Sequence, residues 1–214
     1  SVLDDKVAAG AITVPYGVKP KMNLKRVLVT EASHPIPDNA GIEGTKKILS
    51  VVEKASENDL VVFLISGGGS ALMPMPASDI CLADKQKITA SLLRSGASIH
   101  EINAVRKHLS AVKGGQLLRH VNRSCTLLSL ILSDVIGDDL GIIASGPTYP
   151  DNSTFSDALN ILRKYRIERP VAAIEYLRKG ARGKIHETPK PQEEVFSRIH
   201  NMLIGNNAVA CKAA

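Results

Sequence analysis

Two predominantly apolar runs, residues 60–65 and 127–132, limit most strongly what this chain can fold into. Both are far shorter than the roughly 20 residues that a membrane-spanning helix needs. Each run ends at a polar or glycine-rich loop, as a strand buried on both faces of a parallel sheet does. Segments with the apolar spacing of helices lie between the runs, beginning with residues 39–57. The alternation predicts the α/β class: a single three-layer, Rossmann-like domain over residues 1–214 with a mostly parallel sheet.

The composition supports a globular protein with a small-molecule ligand. Hydrophobic residues make up 44% of the 214 residues and charged residues 22%, close to the globular average. The net charge of +6 comes from scattered Lys and Arg, which favours a solvated surface over a polyanion-binding face. With 3% aromatic residues and no Trp, the chain has few platforms for stacking nucleic-acid bases. We therefore expect no nucleic-acid partner and no membrane partner, whereas a small anionic substrate fits.

The cysteines indicate the compartment. Cys81, Cys125 and Cys211 are odd in number and widely spaced, which argues against a disulfide framework or a zinc site. We interpret all three as structural and predict a cytoplasmic protein. The sequence begins at Ser1 without a methionine, so a preceding targeting segment, and with it a mitochondrial location, stays open. The sequence does not specify the oligomeric state.

The loop after the first apolar run is a candidate anion site. Its five residues are Ser66, Gly67, Gly68, Gly69 and Ser70. Three glycines allow positive φ angles, so that successive N–H groups can point at one anion beside a helix N-terminus. The loop lacks the Gly-Lys-Ser/Thr ending of a P-loop, and Leu72 replaces the third glycine of a dinucleotide fingerprint. A sharp strand exit without a ligand is the alternative interpretation.

The loop after the second apolar run is acidic. It contains Asp134, Asp138 and Asp139. Carboxylates at the carboxyl edge of a parallel sheet can hold Mg²⁺ or accept a proton from a substrate hydroxyl. Solvated aspartates in a turn are the alternative. Asp134 is the strongest candidate because it follows the strand most closely.

A third group of candidates lies on a helix predicted over residues 99–113. Its start has the Ser-x-x-Glu spacing of a capping box, and two glycines follow its end. Asn103, Arg106 and Lys113 share its polar side and can grip a carboxylate or phosphate. A solvated helix face is the alternative. His34, in the loop before Pro35, is a candidate hydrogen-bond donor or general acid/base, or a residue that pins its loop.

Five segments in chain order extend these single motifs over nearly the whole sequence. They are residues 31–38 (EASHPIPD), 64–72 (LISGGGSAL), 101–110 (EINAVRKHLS) with 113–115 (KGG), 132–138 (LSDVIGD) and 143–148 (IASGPT). Together they resemble the type II glycerate 2-kinase family, some members of which carry the older name hydroxypyruvate reductase. Ser33 stands where that family usually has a glycine, a change that we expect the loop to tolerate.

The resemblance implies a two-domain enzyme that uses ATP and Mg²⁺ to phosphorylate D-glycerate, with 2-phosphoglycerate as the favoured product. It also implies that the glycine loop contacts phosphate or carboxylate oxygens. The same role extends to Asn103, Arg106, Lys113 and His34. Asp134 would be the catalytic residue that orients the hydroxyl, and the metal would be held by Asp134 and Asp138.

The family's Gly-Lys-Ala segment is expected before Ser1, and its small domain after Ala214. The resemblance therefore predicts a truncated large domain that is inactive by itself. Two other functions stay open at this point. One is an NAD(P)H-dependent hydroxypyruvate reductase, which the missing dinucleotide fingerprint disfavours. The other is a truncated homologue without catalysis that binds a ligand or a partner protein.

Overall fold

The computed structural model describes residues 6–18, 24–122 and 124–213. The strands are β1 (Gly10–Pro15), β2 (Val27–Ala32), β3 (Leu60–Ile65), β4 (Thr126–Leu132) and β5 (Ile199–Gly205). The helices are α1 (Asn39–Val52), α2 (Gly69–Leu72), α3 (Leu82–Arg94), α4 (Ile99–His108), α5 (Phe155–Lys164), α6 (Val171–Ala181) and α7 (Asn207–Ala213). Short 3₁₀ turns occupy Gln116–His120, Ile143–Ser145 and Glu194–Arg198. None of the helices within this described part combines the length and the apolar character needed to cross a membrane.

All pairings between these strands are parallel, which confirms the predicted α/β class. The described strands form two hydrogen-bonded ladders, β1 with β2 and β3 with β4 and β5, where the sequence predicted one sheet. In the second ladder, Leu64 pairs with Leu130 and Leu130 pairs with Met202. Because the strands of each ladder run in the same direction, the loops that follow them leave at a common edge of that ladder.

Local sequence signals set several helix starts. The Asp38 carboxylate accepts a hydrogen bond from the Gly41 N–H at the start of α1, at 3.0 Å. Ser98 and Glu101 form the predicted capping box of α4. Thr154 starts α5 with the same motif. Each cap satisfies N–H groups that have no partner within the helix.

Two apolar cores hold the elements together. The first lies among α3, α4, α5 and α6 and includes Leu92, Val105 and Leu177, none of which is exposed to solvent. The second lies under α1, β3 and β4 and includes Val112 and Leu127, which are also fully buried. α4 thus has a buried apolar stripe on the first core, and this fixes the orientation of its polar residues.

The prediction that residues 60–65 are buried on both faces is wrong for the described structure. Phe63 is buried, but Leu60 is 58% exposed and Leu64 is 74% exposed. Alternate residues of a strand point to opposite faces, and α1 and the second core cover only one of them. A continuous apolar run therefore does not by itself show that both faces are covered.

The predicted helix over residues 99–113 is also too long. α4 ends at His108, and Leu109 is its C-cap. Beyond it, Ser110 forms an isolated antiparallel bridge with Pro76. Lys113 therefore does not lie on the helix face that carries Asn103 and Arg106. A turn beyond the helix positions it instead.

A buried polar network anchors the end of α4. His108 is 1% exposed; its Nδ1 lies 2.7 Å from the Ala104 carbonyl and its Nε2 lies 2.7 Å from Glu187 Oε1. Both ring nitrogens of His108 therefore lie within hydrogen-bond distance of an oxygen that can accept. Partial burial raises the pKa of Glu187, but hydrogen bonds from His108 and from the Phe155 and Thr188 N–H groups outweigh it and lower the pKa to about 2.

We expect Glu187→Gln to lower the free energy of unfolding by about 1–2 kcal/mol near neutral pH, allowing for the partial exposure of the carboxylate. The folded-state pKa lies below the unfolded value of about 4.3, so this stabilisation is complete above that value and is lost as pH falls toward 2. Urea unfolding at about pH 5.5 and about pH 3.5 should show a smaller difference between the two proteins at the lower pH. Exposed Glu194→Gln is the control, and an undiminished difference at low pH would contradict the assignment.

Candidate functional site

The glycine loop after β3 is in contact with the loops after β2 and β4. Gly68 has φ of 81°, in the left-handed region that favours glycine. A Cβ on Gly68 would lie 3.2 Å from the His34 ring, and a Cβ on Gly67 would lie 2.1 Å from Asp134 Oδ2. The backbone at Gly67 therefore approaches Asp134 more closely than any side chain there would permit, and a Cβ at Gly68 would crowd His34. Three loops that are distant in sequence therefore meet around this glycine turn.

Side-chain hydrogen bonds through Ser70, Ser145 and Asn103 link the glycine loop to α4. Ser70 Oγ lies 2.7 Å from Ser145 Oγ, and Ser145 Oγ donates to Asn103 Oδ1 at 3.0 Å. Ala144 and Ser145 have positive φ angles of 51° and 62°, which non-glycine residues rarely adopt. The buried Asn103 Nδ2 has no hydrogen-bond partner among the described residues. The site therefore holds an unused buried donor.

Basic side chains back the same loop. Lys113 is 2% exposed, and its Nζ donates to the Gly69 and Ala144 carbonyls at 3.3 Å each. Burial, followed by the charges of Lys85 and Arg106, lowers the pKa of Lys113 well below its usual range. Within the described ranges, no ion pair joins Lys85, Arg106 or Lys113 to a carboxylate. This local cluster of basic groups without acidic partners suits an anionic ligand.

Lys85 was not predicted from the sequence. It lies on α3 among Leu82, Ile88 and Leu92, the other buried residues of that helix. The sequence does contain a signal for Lys85, because this lysine interrupts an apolar stripe. An unpaired charge buried at such a position is costly, which indicates a special role. Long lysine side chains often reach solvent from such positions, so the spacing alone does not predict burial.

Close contacts and hydrogen bonds link most of the predicted residues, but none of those within the described ranges links Ser66 or Asp138 to them. Ser66 is exposed and has no hydrogen bond recorded within the described residues. Asp138 accepts a hydrogen bond from Asn206 Nδ2 at 2.5 Å, at the start of α7. In residues 6–18, 24–122 and 124–213, no group of three or more His, Cys, Asp or Glu side chains is arranged to hold a metal ion. A metal site shared by Asp134 and Asp138 therefore stays a prediction.

Comparison with known proteins assigns the chain to a family. The profile described as "Domain of unknown function (DUF4147)" matches residues 1–178. The chain belongs to the DUF4147 family. Its curated relatives include the glycerate 2-kinase of Pyrococcus horikoshii, 47% identical over 209 residues, which are 97% of this chain and 46% of that protein. The D-glycerate 2-kinase of Thermotoga maritima is 44% identical over 213 residues, covering 100% of this chain and 48% of that protein.

Solved structures show the same relationship for this DUF4147 chain. A crystal structure of a Pyrococcus horikoshii protein matches with a TM-score of 0.90 at 46% identity, over 99% of this chain and 48% of that one. The glycerate kinase of Thermotoga maritima matches with a TM-score of 0.87 at 42% identity, over the same shares. The resemblance to glycerate kinases is therefore confirmed in sequence and in fold. The chain spans about half the length of the relatives that it matches.

Proposed function

We propose that the full-length protein containing these residues transfers the γ-phosphoryl group of ATP to a hydroxyl of D-glycerate. The favoured product is 2-phosphoglycerate. The observation that carries the proposal is the buried basic cluster against the glycine loop, because its basic side chains have no carboxylate partner and the Asn103 amide has no hydrogen-bond partner among the described residues. The names of the Pyrococcus and Thermotoga relatives supply the substrate and the reaction.

The residues of this chain have separate tasks in that reaction. The N–H groups of residues 67–70, together with Lys113 and Arg106, hold phosphate or carboxylate oxygens. Asn103 Nδ2 donates to the same ligand. Asp134 accepts the proton of the attacking hydroxyl or orients that hydroxyl. Catalysis in such a site is mostly positioning and charge neutralisation.

Magnesium fits the donor set at this edge of the sheet. The Asp134 carboxylate is exposed, and no hydrogen bond to it is recorded in the described part of the chain. One or two carboxylates with phosphate oxygens and water are the usual ligands of protein-bound Mg²⁺. When bound with ATP, the ion neutralises charge on the phosphates.

The test is a coupled assay for ADP formation that depends on D-glycerate. We expect turnover from a protein of the relatives' full length and none from the 214-residue chain alone. A phosphoryl-transfer site must hold donor, acceptor and cation together, and the chain spans only 46–48% of the two glycerate 2-kinase relatives. Turnover by the isolated chain at a rate near that of the full-length protein would contradict this expectation.

A second function has one observation in its favour. An Agrobacterium vitis protein, 47% identical over 189 residues, carries a hydroxypyruvate reductase name. NADH oxidation with hydroxypyruvate, measured on the same full-length protein, decides between the two reactions. Absence of both activities, with ligand binding retained, would favour a non-catalytic role. The cytoplasmic location and the absence of a nucleic-acid partner stay predictions.

A further inference from the structure

Two buried lysines donate to backbone carbonyls at the start of the short helix α2 and just beyond its end. Lys113 Nζ donates to the Gly69 carbonyl at the start of α2. Lys85 Nζ donates to the Pro74 carbonyl at 2.9 Å, two residues beyond its end. Lys85 is 8% exposed and Lys113 is 2% exposed. Two lysine amino groups that are shielded from water therefore hold the segment that faces the proposed anion.

These lysines have basic neighbours and no acidic partner within the described structure. Burial and then the charge of Arg106 lower the pKa of Lys85 to about 7. The same causes, with the charge of Lys85 added, lower the pKa of Lys113. Like charges in a desolvated site oppose one another, so a negative charge beside the cluster would favour its protonated state.

The other titratable groups near this segment do not contact Lys85 or Lys113 through any hydrogen bond or ion pair among the described residues. His34 faces Gly68 and Asp134 faces Gly67, both at the start of the loop. Lys107, on α4, is paired with Asp151 at 3.3 Å. The charge of Arg106 lowers the pKa of Lys85, and the charges of Lys85 and Arg106 lower the pKa of Lys113. A bound anion would therefore supply the negative charge that this cluster lacks.

We propose that an anion bound at the glycine loop makes Lys85 and Lys113 take up protons from solvent, so that ligand binding and protonation of this pair are coupled. The inference rests on the anion site of the proposed function and adds Lys85 to it as a positioning residue. The ligand class is a small carboxylate or a phosphate-like dianion. Apparent affinity should then fall as pH rises above the range in which the free site is protonated.

Isothermal titration calorimetry on the full-length protein measures the coupling directly. Sodium sulfate and D-glycerate are suitable probes, because neither titrates near pH 8 and any proton taken up is bound by the protein. Titrations in buffers of different ionisation enthalpy give the number of protons. We expect uptake of more than one and up to about two protons at pH 8, and an affinity that falls by up to about a hundredfold for each further pH unit.

Substitutions separate protonation from a merely structural role. Lys85→Arg keeps a donor on the Pro74 carbonyl but stays charged throughout this pH range, so proton uptake should fall. Lys85→Met should also reduce uptake, since it removes one titrating group and one repulsive charge. Lys87→Met, at an exposed position of the same helix, is the matched control and should leave uptake unchanged.

Each outcome for the unmodified protein decides the matter even where a variant fails to fold. Binding of sulfate or D-glycerate without proton uptake overturns the proposal, as does no binding of either probe. Equal uptake in the unmodified protein and in folded Lys85→Arg would remove Lys85 from the mechanism. Uptake without phosphorylation of D-glycerate would refute the proposed function alone, whereas phosphorylation without uptake would refute this inference alone.

Discussion

Asp134→Asn in the full-length protein is expected to lower kcat for D-glycerate phosphorylation at least about a hundredfold. Asparagine has almost the same shape but lacks the negative charge needed to accept a proton or to bind a cation strongly. The carboxylate lies directly against Gly67, where a Cβ would approach Oδ2 to 2.1 Å. The substitution should therefore preserve packing while removing the chemistry. Steady-state kinetics with saturating ATP and D-glycerate measures the effect.

Asp139→Asn is the matched control for this measurement. Asp139 Oδ1 accepts the Gly141 N–H at 2.8 Å within the same acidic loop, and an asparagine oxygen can accept it equally well. We expect a much smaller change in kcat at this position. Similar losses at both positions would mean that the loop acts through its overall charge or shape, and that Asp134 has no special role.

Gly68→Val should abolish binding of nucleotide or D-glycerate in the full-length protein. The native φ of 81° is strained for a β-branched residue, and the added side chain would begin 3.2 Å from His34. Valine would therefore reorient the N–H groups and fill the space that the anion is proposed to occupy. Calorimetric titration with each ligand, on protein whose folding has been checked by circular dichroism, gives the result.

Gly96→Val is the control that separates the effect of backbone strain from the effect of losing the anion site. Gly96 has a φ of 72° and lies in the turn between α3 and α4, where a Cβ would have no other atom within 4 Å. Both variants carry a similar backbone penalty, whereas only Gly68→Val should lose ligand affinity. A folded Gly68→Val protein with unchanged affinity would show that the glycine loop is only a strand exit.

Several predictions succeeded because their signals are local. The strands at residues 60–65 and 127–132 and the capping box at Ser98 follow from neighbouring residues alone. Glycine spacing also predicted the turn with positive φ at Gly68. The predicted helix over residues 99–113 failed at its end, because the Pro76 bridge to Ser110 takes the chain out of the helix after His108.

The sequence by itself determined the order of strands and helices, the parallel α/β class and the loops that carry polar groups, because periodicity and capping act over a few residues. Only the tertiary structure decided which polar groups are buried and what they contact. His108 meets Glu187 across 79 positions, and Lys113 reaches Gly69 across 44. Burial and electrostatic pairing depend on which distant segments pack together. The basic cluster around Lys85 therefore became visible only in the folded chain.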